Sequence, residues 1–282
     1  MQQPAEDKIV FITGAASGFG MGAALSFARR GYRVIATMRN MAGNNSLQAA
    51  AKEQKLQSRV DYLELDVTVP ATIQRAVEET IKRYGRIDIL INNAGYALGG
   101  AIEEIPLASW RHQFETNLFG LISVTQAVLP FMRKERKGTI INISSVSGRI
   151  GLPGYAPYAS SKFAVEGFSE SLRMELLPFG IRVVLIEPGA YKTSIWQKGF
   201  TGMEVAADSP YRAMMDTVLT YSRKTAETAA DPSEVVEAIV KAAESPSPRL
   251  RYTMGKGTGL LLSAKALLPW KWLELLIKRV LR

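Results

Sequence analysis

Short apolar runs separated by helical segments recur along almost the whole chain, and this alternation restricts the available folds more than any other feature. Runs of strand length fall at residues 8–12, 33–38, 60–65, 87–91, 139–143 and 182–187, with a seventh at 249–254. Helical segments lie between them, at 19–30, 46–54, 70–84, 107–133, 158–179 and 233–243. Near-continuous Val and Ile in the strands implies a parallel sheet buried on both faces. Right-handed crossovers then wind it into an α/β fold, a Rossmann-type doubly wound sheet of about seven strands. No internal repeat or linker-like stretch breaks the pattern, so residues 1–258 read as a single domain. Residues 190–228 are too long for a plain connector and read as a substrate-binding loop or lid. Residues 259–282 read as an amphipathic C-terminal extension.

Composition narrows the chemistry. The chain has no cysteine and one histidine, His112. Thiol nucleophiles, zinc–thiolate sites and iron–sulfur clusters are therefore excluded, and a metal site or a Ser-His-Asp triad is not expected. Net charge is +9, yet residues 249–282 hold eight Lys/Arg against one Glu, while the other 248 residues are nearly balanced. That distribution is not the basic face of a nucleic-acid-binding domain. The first eight residues are polar and carry no signal-peptide architecture. No apolar stretch approaches the ~20 residues of a membrane span. A cytoplasmic protein is the expectation, with peripheral membrane association left open by the tail.

Thr13-Gly14-Ala15-Ala16-Ser17-Gly18-Phe19-Gly20 follows the first strand and opens the first helix. Glycines there let the backbone approach a pyrophosphate, and the helix start supplies N–H donors and a positive dipole end. Sites of this kind that select NAD end the second strand in an acid. Here the strand runs Ala36-Thr37-Met38-Arg39-Asn40, and the Arg39 guanidinium suits a 2′-phosphate, which favours NADP(H) over NAD(H). An ordinary solvent-facing arginine is the plainer alternative. Ser17 offers a second phosphate contact. Asp66 and Val67, after the third strand, are placed to hold the adenine.

Tyr158 and Lys162 stand four residues apart, on one face of a helix. Tyr252 and Lys256 share that spacing, so spacing alone says little. Company separates the two pairs. Ser145 closes the fifth strand thirteen residues before Tyr158, Asn92-Asn93-Ala94-Gly95 closes the fourth, and Asn117 lies in the following helix. All fall at the carboxyl edge of the sheet, where open α/β folds bind ligands.

With these residues in order, from Thr13–Gly20 through Asp66, Asn92–Gly95, Asn117, Ser145 and Tyr158–Lys162 to Pro188-Gly189, the chain resembles the single-domain short-chain dehydrogenases/reductases. The likeness runs from about residue 8 to 254, with a softer similarity to the hydroxysteroid and retinol dehydrogenase branch. It implies an oxidoreductase that moves a hydride between a nicotinamide and a carbonyl or alcohol. Tyr158 would be the general acid/base, its pKa of about 10 lowered by the Lys162 ammonium and the nicotinamide charge. Ser145 would stabilise the developing oxyanion. The resemblance further implies that Asn117 holds a water relaying protons to Lys162, that Lys162 also binds the nicotinamide ribose, and that Thr193 contacts the carboxamide. Asn93, Ala94, Gly95, Pro188 and Gly189 would frame the cofactor, and a homodimer or homotetramer would form through the long helices.

Residues 190–228 carry Tyr191, Trp196, Phe200, Met203, Tyr211, Met214, Met215 and Tyr221, a set suited to a bulky apolar substrate as well as to anchoring a lid. Leu152 and Tyr155 would form the opposite wall. In the tail, Lys271, Glu274, Lys278 and Arg282 make one narrow polar stripe among Trp, Leu, Ile and Val. Such a helix either docks on protein or lies in a membrane interface. The leading expectation is an NADP-dependent reductase or dehydrogenase of a hydrophobic ketone, aldehyde or alcohol. The alternatives are a catalytically silent NADP sensor and a membrane-associated retinoid or steroid dehydrogenase using NAD.

Overall fold

The computed structural model describes residues 7–41, 45–193, 195–200, 203 and 205–280. In chain order the first half comprises β1 (Ile9–Ile12), α1 (Gly18–Arg29), β2 (Arg33–Met38), α2 (Asn45–Glu53), β3 (Val60–Glu64), α3 (Pro70–Tyr84) and β4 (Ile89–Asn92). Then come α4 (Leu107–Phe114), α5 (Gly120–Glu135), β5 (Gly138–Ile143), α6 (Ala156–Leu176) and β6 (Ile181–Pro188). The chain ends in α7 (Ile195–Phe200), α8 (Arg212–Thr228), α9 (Ser233–Glu244), β7 (Arg251–Met254), α10 (Thr258–Leu267) and α11 (Trp270–Val280). The strands form a 7-stranded sheet in the order β3-β2-β1-β4-β5-β6-β7, with every pairing parallel.

Alternation along each strand divides the core into two layers. Val10 and Ile12 point toward α1, α2 and α9, where Phe27, Leu47, Val235 and Ile239 meet them. Ile9 and Phe11 point the other way, toward Ile73, Val77, Val124, Val128 and Leu172 of α3, α5 and α6. Strand order reverses between β1 and β4, which opens a crevice at the carboxyl edge.

The expected helix over 107–133 is not continuous. A π-helical turn, Glu115–Phe119, separates α4 from α5. Residues 190–228 fold into α7 and α8 around a small apolar cluster of Ala101, Met203, Met215 and Val218, which Tyr155, Phe200 and Tyr211 pack against.

Where α5 begins, Gly120 lies against the loop after β3. A Cβ there would sit 2.7 Å from Val67 Cβ and 2.8 Å from the Val67 carbonyl oxygen. Helix propensity alone favours alanine at this position by about 1 kcal/mol. The close approach outweighs it, so Gly120→Ala is expected to destabilise the protein by ~1–3 kcal/mol. Denaturant midpoints measure this, and a stabilised variant would contradict the packing.

Candidate active site

The glycine loop is braced from β4. The Thr13 hydroxyl oxygen accepts hydrogen bonds from the amides of Asn93 and Ala94, at 3.0 and 3.1 Å. Asn93 Nδ2 donates to the carbonyls of Thr13 and Gly14, both at 2.9 Å. This brace leaves no room for side chains. Gly14 has φ +66° and a Cβ on it would lie 2.9 Å from Ala94 Cα, while a Cβ on Gly20 would lie 2.5 Å from Asn93 Nδ2. The start of α1 therefore stays open, with Ser17 exposed and Gly18 and Phe19 half-buried beside it.

Other sequence-derived residues gather on this edge. Thr193 comes close to the loop, its Cβ 3.5 Å from where a Cβ on Gly18 would be. Arg39 is exposed just beyond β2. Asp66 Oδ1 accepts from the Thr68 amide at 2.9 Å and hydroxyl at 2.7 Å, which fixes the turn, and Val67 is buried beneath it. Gly189 donates its amide to the Met254 carbonyl at 2.8 Å, tying the Pro188-Gly189 corner to β7. A backbone cradle that a Cβ on Gly14 or Gly20 would fill, together with an open helix start, fits a dinucleotide phosphate chain.

Ser145, Tyr158 and Lys162 converge. Ser145 Oγ accepts from the Ser147 amide at 3.1 Å, donates toward the Pro188 carbonyl at 3.4 Å and neighbours the Tyr158 phenol. Lys162 Nζ donates to the Ile143 carbonyl at 2.8 Å and lies 5.8 Å from the Tyr158 ring centroid. The expectation of a lowered phenol pKa is not met by the protein's own groups. Burial raises the Tyr158 value, and the Ser145 hydroxyl opposes it only partly. Burial also lowers the Lys162 ammonium to about 8, against the pull of the Glu166 charge. Low dielectric around both groups disfavours either charge.

Asn117 sits within the π-helical turn and is buried. Its Oδ1 accepts from the Tyr96 amide at 3.1 Å, while Nδ2 donates to the Tyr96 carbonyl at 3.0 Å and to Ser161 Oγ at 3.1 Å. Asn117 thus clamps the loop after Gly95 to the helix bearing Tyr158. Gln113 works beside it, accepting from the Leu98 amide at 2.7 Å and donating to the Tyr96 carbonyl at 2.9 Å.

The substrate-wall residues separate. Leu152 is exposed, and Tyr155 is half-buried with its hydroxyl 2.8 Å from Ser222 Oγ, so its ring anchors α8. Tyr191 faces the protein rather than an opening. It is buried, its hydroxyl donates to Glu234 at 2.6 Å, and its ring meets Phe19 edge-on. The Trp196 side chain lies outside the described residues.

A charge cluster whose pairings have no local signature in the sequence is buried behind this edge of the sheet. Arg251 Nε bridges Glu166, at 2.9 Å, and Glu187, at 3.0 Å, and the same guanidinium contacts Glu170. Glu187 is fully buried and also takes Arg149 at 3.2 Å and the Thr253 hydroxyl. Glu166 stands one helical turn beyond Lys162, a spacing that could have drawn notice.

The chain belongs to the short-chain dehydrogenase family, whose profile matches residues 8–204. The uncharacterized oxidoreductase YusZ of Bacillus subtilis is 46% identical over 97% of this chain and 98% of its own length. A 3-ketodihydrosphingosine reductase of Bacteroides thetaiotaomicron is 36% identical over 94% of each. Among solved structures, a short-chain dehydrogenase from Streptomyces avermitilis superposes with a TM-score of 0.80 at 32% identity, covering 92% of this chain and 93% of that one. A serine dehydrogenase in its closed form complexed with NADP+ gives 0.74 at 31% identity, covering 87% and 94%. The protein is thus a single-domain oxidoreductase of this family.

The acid pair sharing Arg251 has a measurable signature. Burial raises the Glu166 carboxyl to about 7, helped by the Glu187 charge and opposed by the nearby Ser144 hydroxyl and the Arg251 guanidinium. The folded state then holds a proton that the unfolded chain releases near pH 4.5. Glu166 therefore contributes stability that is present below pH 4.5 and lost as pH rises through about 7. We expect the stability of the parent, relative to Glu166→Gln, to fall across that window in denaturant titrations. A flat difference would mean an unshifted carboxyl.

Proposed function

We propose that the protein interconverts a hydrophobic ketone or aldehyde and its alcohol with NADP(H). The observation that carries this reading is the convergence of Tyr158, Ser145 and Lys162 at the sheet edge that also carries the glycine cradle. The nicotinamide, when bound, supplies or accepts the hydride. In reduction Tyr158 gives its proton to the carbonyl oxygen, and its raised pKa keeps that proton in place at neutral pH. Ser145 donates to the same oxygen as charge develops there. Lys162 uses one of its three N–H donors on Ile143 and keeps two for the nicotinamide ribose and the proton path. Asn117 and Gln113 hold the loop at Tyr96 that walls this path. In the alcohol-oxidising direction Tyr158 must be deprotonated, so that direction gains with rising pH.

NADP(H) rests on Arg39 and has the support of the serine dehydrogenase complex with NADP+. The apolar substrate is inferred from the apolar lid packed around Met203, Met215 and Val218, and accords with a relative named as a 3-ketodihydrosphingosine reductase. Exposed Phe119, Met174 and Leu177 on and beside α5 and α6 support assembly into a homodimer or homotetramer.

Cofactor consumption on a panel of bulky aryl, steroid and long-chain carbonyls tests the reading. NADPH should be preferred to NADH, and Arg39→Ala should reduce that preference by roughly 10–100-fold. Tyr158→Phe should lower kcat ~10²–10⁴-fold while NADPH still binds. Turnover preferring NADH would remove Arg39 from the account and leave Tyr158 standing. NADPH binding without turnover of any carbonyl would overturn the reading.

A further inference from the structure

The last two helices present an apolar surface that the rest of the described chain does not cover. On α10, Leu261, Leu262 and Lys265 face the body, whereas Leu260 and Leu267 are 78% and 81% exposed on the opposite side. On α11, Leu273 is buried and Ile277 half-buried, which docks one stripe of the helix. A second stripe stays in solvent, with Trp272 62% and Leu275 58% exposed, and Trp270 is exposed at the helix start. Docking and an open apolar face therefore coexist in one short helix.

Charge says what covers this face. Residues 256–280 carry five Lys/Arg and a single acid, Glu274. Lys271, Lys278 and Arg279 are all exposed and flank the open stripe of Trp272 and Leu275. A second copy of the chain would bring like charges together over this face. An anionic lipid surface would neutralise them, with Trp and Leu entering the headgroup boundary. No described helix is long and apolar enough to cross a membrane, so the pair would lie on it.

We infer that α10 and α11 seat the protein on an anionic bilayer surface with the substrate mouth turned toward it. Lys265 of α10 donates to the Arg149 carbonyl and lies 5.1 Å from the Phe163 ring centroid. Arg149 is four residues past Ser145, Phe163 follows Lys162, and exposed Leu152 lies on the same segment. An apolar carbonyl dissolved in the bilayer thus reaches the mouth without crossing water. This last clause rests on the proposed function, whereas the seating itself does not.

The test is co-sedimentation of the full-length protein with vesicles of phosphatidylcholine alone or mixed with phosphatidylglycerol, read beside turnover of a water-soluble carbonyl. Binding should require phosphatidylglycerol and weaken with added salt. Trp272→Ser with Leu275→Ser should lower partitioning roughly tenfold or more. Lys271→Gln, Lys278→Gln and Arg279→Gln together should lower it roughly a hundredfold. Both variants should keep the parent's turnover of the soluble substrate and its melting behaviour. Absence of the parent from the vesicle pellet would overturn the inference. So would a concentration-dependent oligomer that the Trp272/Leu275 variant dissolves, because the face would then bind a second copy. Vesicle binding without turnover of any carbonyl would sustain the seating and remove the catalytic reading.

Discussion

A parallel sheet ends in a row of carbonyls and amides that its own ladder cannot pair, and this protein keeps that edge in shape with side-chain amides. Asn93 takes the carbonyls of Thr13 and Gly14, and Asn117 and Gln113 take both polar groups of Tyr96. One layer deeper, Asn92 donates to Thr125 and Asn142, and Asn142 donates to Ser169 on α6. An unpaired buried amide or carbonyl carries a penalty of about 1–3 kcal/mol, so each of these side chains fixes the loop it satisfies. The glycine loop, the Tyr96 loop and α6 are held against one another by this set. Removing it would leave the strands intact and the site without a geometry.

Burial, more than charge pairing, sets the tone of the chemistry at that edge. Tyr158 and Lys162 are both pushed toward their neutral forms, the phenol upward and the ammonium down to about 8. Behind them, Glu166 and Glu187 share Arg251, and Glu187 takes Arg149 as well. Such a cluster is a weak source of stability but a strict one in geometry, because loss of the shared cation leaves buried charge uncompensated. Glu166 reaches Lys162 along α6, and Glu187 leads directly into the Pro188 carbonyl beside Ser145.

Much of this was legible because it is local. Strands 33–38 and the helix 70–84 match to the residue, since Val/Ile runs and an N-terminal proline mark them without help from distant contacts. Ser145, Tyr158 and Lys162 were legible through spacing and order. The π-helical turn at 115–119 was not, because the extra residue answers to the Tyr96 loop rather than to its own helix. Nor was the inward turn of Tyr191, which depends on Glu234 in α9. Arg251 and Glu166 are 85 residues apart in the chain, and no pattern in either segment announces the other. The phenol's raised pKa belongs to the same class, since desolvation depends on the whole fold.

The place of Arg251 in the chain has a further consequence for how the enzyme is made. Domains emerge from the ribosome N-terminal end first, and the glycine loop, Ser145, Tyr158 and Lys162 all leave the exit tunnel well before β7. Until β7 adds to the edge of the sheet, Glu166 has no guanidinium and must stay protonated or in water. Synthesis thus delivers the reactive groups early and their electrostatic completion late. The nascent chain carries Ser145, Tyr158 and Lys162 before it has the interior that sets their surroundings.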